Sequence, residues 1–300
     1  MQCCLTASGK VLSKTGGAGI DLEKTLEEWR ALPKAERAPG AVKIADRGAA
    51  DPQYVELSPP QGGLIIKVYT RALMSDGEGK HRYVTGKDLW LDEDGKETLE
   101  ADYQDGRTAA HQAQPHHMWL SEPEWKSLMP ANPMEGDEAP LPSAIADRIF
   151  RWHLNPLRFY GRYGPDALDS KDVQAGQMTL TTESVSPDVV RLRLEGAARL
   201  GQIPPADVVE GKTASLDRWG YEPRVLGFLE YNPRTRVITR FDIVALGEHF
   251  GRLGLGRRAP SRIGLQPLGI AFQLINGDQP ADRVPPGRPS NSRSYFDLSK

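Results

Sequence analysis

Residues 224–251, RVLGFLEYNPRTRVITRFDIVALGEHFG, decide the fold. Two extended runs flank a turn at Asn232 and Pro233, because proline presets φ for a turn and asparagine bonds its own backbone just before it. The second run is rich in β-branched and aromatic residues, which favour strands. The stretch therefore predicts a central β-hairpin. Alternation along the second strand predicts one face with Val237, Thr239, Phe241 and Ile243, and an opposite face with Ile238, Arg240, Asp242 and Val244.

Glycines dominate the sequence after this hairpin and predict that its second strand ends in a loop beyond Leu246. The order GRLGLG at residues 251–256 is not the dinucleotide-binding fingerprint, because Arg257, Arg258 and Pro260 follow it in place of a helix. The same region holds Glu248 and His249, which we expect at the rim of the β core.

Further hairpins precede and follow the central one. Sequential hairpins without a β-α-β rhythm predict an α+β protein that is mainly antiparallel β, with an open barrel or sandwich-like sheet and a few short helices. We assign residues 64–300 to this β-rich domain. The predicted strands are residues 64–73, 82–85, 89–91, 97–103, 178–185, 189–200 and 268–275, and the predicted helices follow Ser121, with Glu124 at its capping-box position, and cover residues 144–154.

The N-terminal residues 1–33 predict a separate small unit. Residues 2–6 and 10–14 are typical of a hairpin, and Asp21 is a favoured N-cap for a helix that runs to Leu32. Residues 34–63 are rich in proline, glycine, alanine and charge, so we interpret them as a linker or an extended loop.

Composition bounds the class of protein. The chain has 300 residues, 39% hydrophobic and 26% charged, which is typical of a soluble globular protein. The net charge of −2 excludes a general attraction to polyanions, and no apolar run is long enough to span a membrane. Eight arginines lie within residues 224–262, opposed by three acidic residues. We interpret them as a solvated face and do not expect nucleic-acid binding.

Two resemblances accompany these patterns. The hairpin and helix of residues 1–33 resemble the last hairpin and terminal helix of a thioredoxin-like fold, although the C-x-x-C redox motif is absent. The segments GFLEYNPRTRVITRFDIVALGEHFG, PLGIAFQL and DRVPP resemble the carboxy-terminal part of uncharacterised bacterial proteins, some with a thioredoxin-like region upstream. This resemblance covers residues 69–286 and implies no activity. It implies an extracytoplasmic location if the chain is a fragment that lacks its signal peptide; otherwise we expect a cytoplasmic one.

Histidines supply one candidate site. His111, His116 and His117 lie within seven residues of each other, and imidazole binds zinc, copper, iron or nickel. A transition metal at these three residues is the one cofactor that the sequence suggests. Their spacing matches no closed zinc motif, and neighbouring side chains of a strand point to opposite faces. The alternative is a loop whose histidines are exposed or bond the backbone.

Two other groups of residues suggest chemistry. His249 is a candidate general base, oriented by a carboxylate such as Asp242, since Glu248 is poorly placed as its sequence neighbour. Arg240 is a candidate binding residue on the mixed face of the central hairpin. A third group, Tyr160, Arg162 and Tyr163, lies in a glycine-rich aromatic and basic cluster that is able to stack a base or a sugar.

The sequence therefore favours a non-catalytic, β-rich binding or interaction module for an unknown protein or small ligand. It contains no G-x-S-x-G elbow, Walker A loop, H-E-x-x-H motif or EF-hand. One alternative is a metal-dependent enzyme that uses histidines near His116 and His249. The other is a thioredoxin-like redox protein that uses Cys3 and Cys4, whose Cα atoms lie about 3.8 Å apart, too close for an ordinary disulfide.

Overall fold

The structure is a computed structural model that divides into two compact units, Met1–Leu57 and Ser58–Lys300. It describes residues 2–6, 10–15, 19–38, 58–76, 78–92, 94–100, 113–158, 166–209, 218–253, 261–286 and 295–296.

The first unit contains a two-stranded antiparallel hairpin, β1 (Gln2–Leu5) and β2 (Val11–Thr15), followed by the helices α1 (Leu22–Ala31) and α2 (Lys34–Arg37). The hairpin and the helix after it are as the sequence predicts. The side chain of Asp21 caps α1 by accepting a hydrogen bond from the Lys24 amide. Such caps satisfy amides that have no partner within the helix.

The second unit is built on one antiparallel sheet, which confirms the predicted α+β class. Its central strands follow one another in chain order and are joined by hairpins. The strand order is β4-β3-β13-β12-β11-β10-β9-β8; in addition, β7 pairs with β3, β5 with β13, and β6 with β5. Among the described residues the two ends of this order do not pair, so the sheet is open. The strands are β3 (Leu64–Ser75), β4 (His81–Tyr83), β5 (Leu89–Leu91), β6 (Glu97–Leu99), β7 (Gln114–Leu120), β8 (Glu138–Pro140), β9 (Val173–Val185), β10 (Val190–Gly201), β11 (Trp219–Asn232), β12 (Val237–Arg252) and β13 (Ser261–Ile275).

Short helices cover one face of this sheet, which we call the inner face. The helices of the second unit are α3 (Glu122–Lys126), α4 (Ser143–Arg148) with a π-helical turn (Ile149–His153), α5 (Ala206–Val209) and 3-10 turns at Pro156–Arg158, Ser170–Asp172 and Pro280–Arg283. Trp125 and Ile149 share a buried core with Leu194 and Ile243 of the central strands. The predicted capping box of Ser121 and Glu124 is present at the start of α3. The opposite, outer face of β10–β12 carries charged and apolar side chains that are exposed to solvent.

The central hairpin departs from the predicted alternation at one point. The register between β11 and β12 shifts between Glu230 and Tyr231. Glu230 pairs with Arg240 and Tyr231 pairs with Ile238, so Thr239 has no partner residue on β11. Such a bulge moves the following side chains to the other face. Ile238 and Phe241 are consequently both buried, whereas Val237 and Thr239 are exposed.

The predicted end of the second strand is wrong. Strand β12 continues through Gly247 and Gly251 to Arg252, and β13 begins at Ser261, seven residues before the predicted start at Leu268. A Cβ atom on Gly247 would overlap the carbonyl group of Glu222 on β11. The glycine therefore allows close approach of two strand backbones, which is a recognised role of glycine within a sheet.

Two further elements differ from the prediction. The histidine-rich segment is not a loop, because residues Gln114–Leu120 form β7 against β3. The predicted helix 144–154 is an α-helix only to Arg148 and continues as the π-helical turn Ile149–His153. Such turns are commonly found at functional sites, and this one carries a buried histidine.

Candidate functional site

The three histidines of the predicted metal site do not come together. His111 lies outside the described residues. His116 and His117 are consecutive in β7, so their side chains lie on opposite sides of the strand. His117 is buried beside the ion pair of Lys67 and Asp282, whose Nζ and Oδ1 atoms are 3.5 Å apart. Burial, and secondarily Lys67, lowers the pKa of His117.

His116 instead stacks on His153 of the π-helical turn. The ring centroids are 5.3 Å apart and the planes differ by 8°. The lone pair of an imidazole nitrogen lies in the plane of its ring. Two parallel, stacked rings therefore do not direct their lone pairs at one common ion. The pair is packed as an aromatic stack rather than as two metal ligands.

Tyr295 joins this stack to the edge of the sheet. Its Oη atom lies 2.9 Å from Nε2 of His153 and accepts a hydrogen bond of 3.1 Å from the Trp119 amide. The arrangement that pairs most atoms has the tyrosine hydroxyl donating to a neutral His153 Nε2. His153 and Tyr295 are 1% and 0% exposed, so this hydrogen-bonded chain is closed to solvent.

A buried arginine lies beside the tyrosine. The Arg148 guanidinium carbon is 4.8 Å from the ring centroid of Tyr295 and 5.3 Å from that of Phe296. Its Nη2 atom forms an ion pair of 2.6 Å with Oε1 of Glu124. Burial by itself raises the pKa of Glu124, but its hydrogen bonds from Arg148 and Ser121 outweigh that effect and lower the pKa overall.

These surroundings keep His153 neutral. Burial is the main cause that lowers the pKa of His153 far below its usual value, and the nearby His116, Arg158 and Arg148 lower it further. Burial also raises the pKa of Tyr295. We call His116, His153, Tyr295 and Arg148 the histidine–tyrosine cluster. Because His153 and Tyr295 are uncharged and enclosed, the cluster suits packing and recognition better than proton transfer to a solvent-borne substrate.

His249 does not meet the carboxylates considered for it. Its side chain is fully buried on the inner side of β12, and Nε2 lies 3.1 Å from the Arg252 carbonyl oxygen. Asp242 lies on the outer face, where it forms an exposed ion pair of 2.7 Å with Arg240. Glu248 is also exposed. Burial first, and then Arg262, lowers the pKa of His249 far below its usual value.

The two histidine regions of the proposed metal enzyme are also far apart. His116 lies across the sheet from Ile243, through Val68 and Phe272. His249 is six residues beyond Ile243 on the same strand, which corresponds to about 20 Å at the rise of a β-strand. Among the residues that the structure describes, no three His, Cys, Asp or Glu side chains are grouped as metal ligands.

Arg240, the predicted binding residue, lies on the outer face. Its guanidinium carbon is 5.5 Å from the centroid of the Phe228 ring, and Nη1 lies 3.9 Å from Glu230 Oε1. The same carboxylate oxygen pairs with Arg191 at 3.2 Å. These residues and Glu183 line an open depression of about 290 Å³. The other predicted binding residues, Tyr160, Arg162 and Tyr163, are not among the described residues.

An apolar patch adjoins this depression. Leu226 and Val244 are cross-strand partners on β11 and β12, and their side chains are 46% and 53% exposed. Leu246, two residues further along β12, is 36% exposed. Together with Phe228 and Arg240, these residues form what we call the outer-face patch. Contiguous apolar surface of this kind marks interaction sites more often than isolated exposed residues do.

Sequence reasoning missed most of these residues. His153 is isolated in the sequence and Tyr295 lies in a stretch without periodicity, so no sequence pattern marks either residue as part of a site. Val244 is marked by such a pattern, because the predicted alternation places this apolar residue on the same strand face as Arg240 and Asp242. The presence of this apolar residue on an otherwise charged strand face is the one feature of the sequence that indicates the outer-face patch.

Comparison with known proteins adds no assignment. None of the protein-family models, curated proteins or solved structures compared with the chain matches it. In the described part of the chain, no helix has the length and apolar character needed to span a membrane.

Proposed function

We propose that this protein is a non-catalytic, β-rich binding module that takes up a polypeptide partner on its outer-face patch. The observation that carries the proposal is the exposure of Leu226, Val244 and Leu246 together at the centre of an open sheet face. Burying a fully exposed aliphatic side chain is worth about 1.5–3 kcal/mol, and these three, which are 36–53% exposed, would each gain roughly half of that when a partner covers them.

The shape of the patch favours a polypeptide over a small molecule. Small-molecule sites are concave and enclose most of the ligand's surface, with volumes of about 300–1,000 Å³. The depression beside Phe228, of about 290 Å³, lies at the lower end of this range, and it is open to solvent rather than enclosing. A chain segment that lies across the strands would contact both the depression and the apolar residues next to it.

The charges around the patch also favour a polypeptide. Arg191 and Arg240 line the depression together with Glu183 and Glu230, so positive and negative groups are balanced. Balanced charge offers little attraction to a polyanion such as nucleic acid. It suits a segment with side chains of both signs, whose contacts set orientation and specificity more than affinity.

The enclosed histidines support a binding role over catalysis. A general base has to lie within hydrogen-bond reach of the proton that it removes. His153 and His249 are 1% and 0% exposed, and their Nε2 atoms lie beside Tyr295 and the Arg252 carbonyl group. The metal-enzyme alternative still has a direct test, because stoichiometric zinc, copper or iron in the purified protein would favour it over the binding module.

A peptide selection tests the binding role. The purified full chain is used to select from a phage-displayed library of random peptides, and enriched peptides are measured against two matched variants. Val244→Lys puts a charge in the outer-face patch. Val237→Lys makes the same change at a valine of the same strand that is 45% exposed but lies outside the patch.

We expect the selected peptides to lose about tenfold or more in affinity for Val244→Lys, because a valine that the bound peptide would cover is replaced by a charge that has to be desolvated. Binding to Val237→Lys should equal binding to the wild type. The proposal fails if no peptide binds saturably, or if the two variants bind the selected peptides equally well.

A further inference from the structure

Tyr295 is held in a pocket that has the features of a peptide-recognition site, and Phe296 lies at the mouth of this pocket, 40% exposed. The rings of Tyr295 and Trp152 are nearly perpendicular, with centroids 4.9 Å apart and planes at 83°. Arg148 lies against the rings of both Tyr295 and Phe296. Tyr295 itself is fully buried.

The pocket also forms hydrogen bonds with the tyrosine hydroxyl group. The Trp119 amide belongs to β7, whose only pairing partner among the described strands is β3. Tyr295 Oη accepts this amide, at 3.1 Å, and meets Nε2 of His153 at 2.9 Å. An edge-strand amide without an acceptor is costly when buried, and exposed strand edges are used for peptide capture.

On one side of the pocket, the buried guanidinium group of Arg148 is only partly hydrogen-bonded. Arg148 is 1% exposed, and its Nε and Nη1 atoms have no hydrogen-bond partner, while Nη2 is paired with Glu124. The two aromatic rings of Tyr295 and Phe296 supply the remaining contacts to this cation. Cation–π contacts are stronger when the arginine is desolvated, so this side of the pocket favours an aromatic occupant.

We propose that the Trp119 amide, Trp152, His153 and Arg148 form a recognition pocket for a tyrosine–phenylalanine segment, filled by the chain's own Tyr295 and Phe296, and that protonation of His153 weakens this occupancy. The pocket is separate from the outer-face patch and does not depend on the function proposed for that patch.

The proton dependence follows from the groups that face His153. Positive charges approach it from α4 through Arg148 and from the 3-10 turn through Arg158, and His116 of β7 is stacked on its ring. Phe272 of β13 contributes an uncharged aromatic ring, with its centroid 6.1 Å from that of His153. Glu124 is engaged with Arg148. Within the described part of the chain, the charged groups that act on His153 include no carboxylate.

Protonation has a direct consequence for the hydrogen bond. A protonated His153 has no acceptor nitrogen, so the Tyr295 hydroxyl loses the group to which it donates. The new charge also lies beside two arginine side chains. Both effects disfavour the bound tyrosine, and neither acts when His153 is neutral.

Hydrogen exchange at the Trp119 amide tests the contact in the full-length protein. Tyr295→Phe removes the acceptor but keeps the ring, and we expect the exchange rate at Trp119 to rise about tenfold or more, as the loss of one hydrogen bond implies. Phe296→Ala should leave this amide protected relative to Tyr295→Phe. Unchanged protection in Tyr295→Phe would overturn the assignment.

The wild-type protein tests the proton dependence without any substitution. Between about pH 7.5 and about pH 5.5, either side of the usual histidine pKa, protection at Trp119 should fall more than at Leu194 of the central strand β10 after correction for the intrinsic rate. His153→Gln, which keeps an acceptor but does not titrate, should abolish this difference. Equal changes at both amides would refute the role of His153.

Binding in trans tests recognition. A full-length variant with both Tyr295→Ala and Phe296→Ala is titrated with a synthetic peptide of residues 290–300, SNSRSYFDLSK. We expect saturable binding that weakens on acidification, and about tenfold weaker binding when the tyrosine of the peptide is replaced by phenylalanine. Equal affinity of the two peptides, or no saturable binding to a folded variant, would contradict a pocket that recognises the hydroxyl.

Discussion

The rings of His116 and His153 lie face to face, with their centroids 5.3 Å apart. One comes from an edge strand and the other from a π-helical turn, and 37 positions separate them in the sequence. Because the His153 ring is buried away from water, proton uptake by this ring works against the packing that brings the two rings together. The same reasoning applies to other buried histidines of the second unit.

We therefore predict that the protein loses stability on acidification. Burial lowers the pKa of His117, His153 and His249 in the folded state, whereas the unfolded chain takes up protons near pH 6.5. The unfolded state consequently binds more protons below that pH, and stability is complete above it and lost as the pH falls. Each histidine that stays neutral costs up to about 1.4 kcal/mol per pH unit.

Chemical denaturation at about pH 7.5 and about pH 5.5 measures this effect, with the two values chosen on either side of the usual histidine pKa. His153→Gln should reduce the loss of stability between the two conditions. His81→Gln, at an exposed histidine of β4, should leave the loss unchanged. An equal free energy of unfolding at both pH values would show that these histidines bind protons equally in the folded and unfolded states.

A second prediction concerns Arg262, which is 1% exposed. Its Nη1 atom donates to the carbonyl oxygens of Gln266 and Pro267, its Nη2 atom donates to that of Leu73, and its guanidinium carbon lies 5.6 Å from the ring centroid of Trp90. We expect Arg262→Met to lower the free energy of unfolding by about 3 kcal/mol or more, since it leaves several buried carbonyl groups without a donor.

Arg199→Met is the matched control for this substitution. Arg199 forms an ion pair of 2.9 Å with Glu222, but both side chains are largely exposed. Exposed ion pairs contribute less than about 1 kcal/mol. Equal effects of the two substitutions in urea denaturation would mean that the carbonyl contacts of Arg262 do not stabilise the sheet.

A third prediction concerns the glycines that carry β12 beyond Leu246. Gly251 has φ +76°, and a Cβ atom there would overlap the Arg218 carbonyl group. Gly251→Ala should therefore lower the free energy of unfolding by about 3 kcal/mol, from the left-handed backbone and the overlap together. Thermal unfolding measures the change.

Gly269 provides the comparison, because a Cβ atom there has no neighbour nearer than 3.6 Å. Gly269→Ala should be neutral or stabilise the protein by less than about 1 kcal/mol. A destabilisation similar to that of Gly251→Ala would indicate that glycine is needed in these strands for a reason other than close approach.

A fourth prediction concerns the thiols of the first unit. Cys3 is exposed, Cys4 is partly buried, and both are free. Thiol titration of the native protein should find both reduced, with Cys3 modified faster because access controls the reaction. Insulin reduction then tests the redox hypothesis: turnover that is lost in Cys3→Ser would support that hypothesis against the binding module.

Local signals were predictable from the sequence. The turn at Asn232 and Pro233, the N-cap at Asp21 and the capping box of Ser121 and Glu124 each depend on residues within four positions of each other. The antiparallel class followed from the succession of hairpins for the same reason. Boundaries were less predictable: Gly247 reads as a strand breaker, yet the neighbouring backbone of β11 makes glycine a requirement there.

The sequence by itself determined the antiparallel hairpins and the caps, because periodicity and turn chemistry act between near neighbours. Only the tertiary structure decided that His116 meets His153, that His153 meets Tyr295 from 142 positions away, and that Val244 joins Leu226 on an exposed face. Those contacts depend on strand order, on the bulge at Thr239 and on burial. Each of these is set by the free energy of packing the whole sheet rather than by any one stretch of the chain.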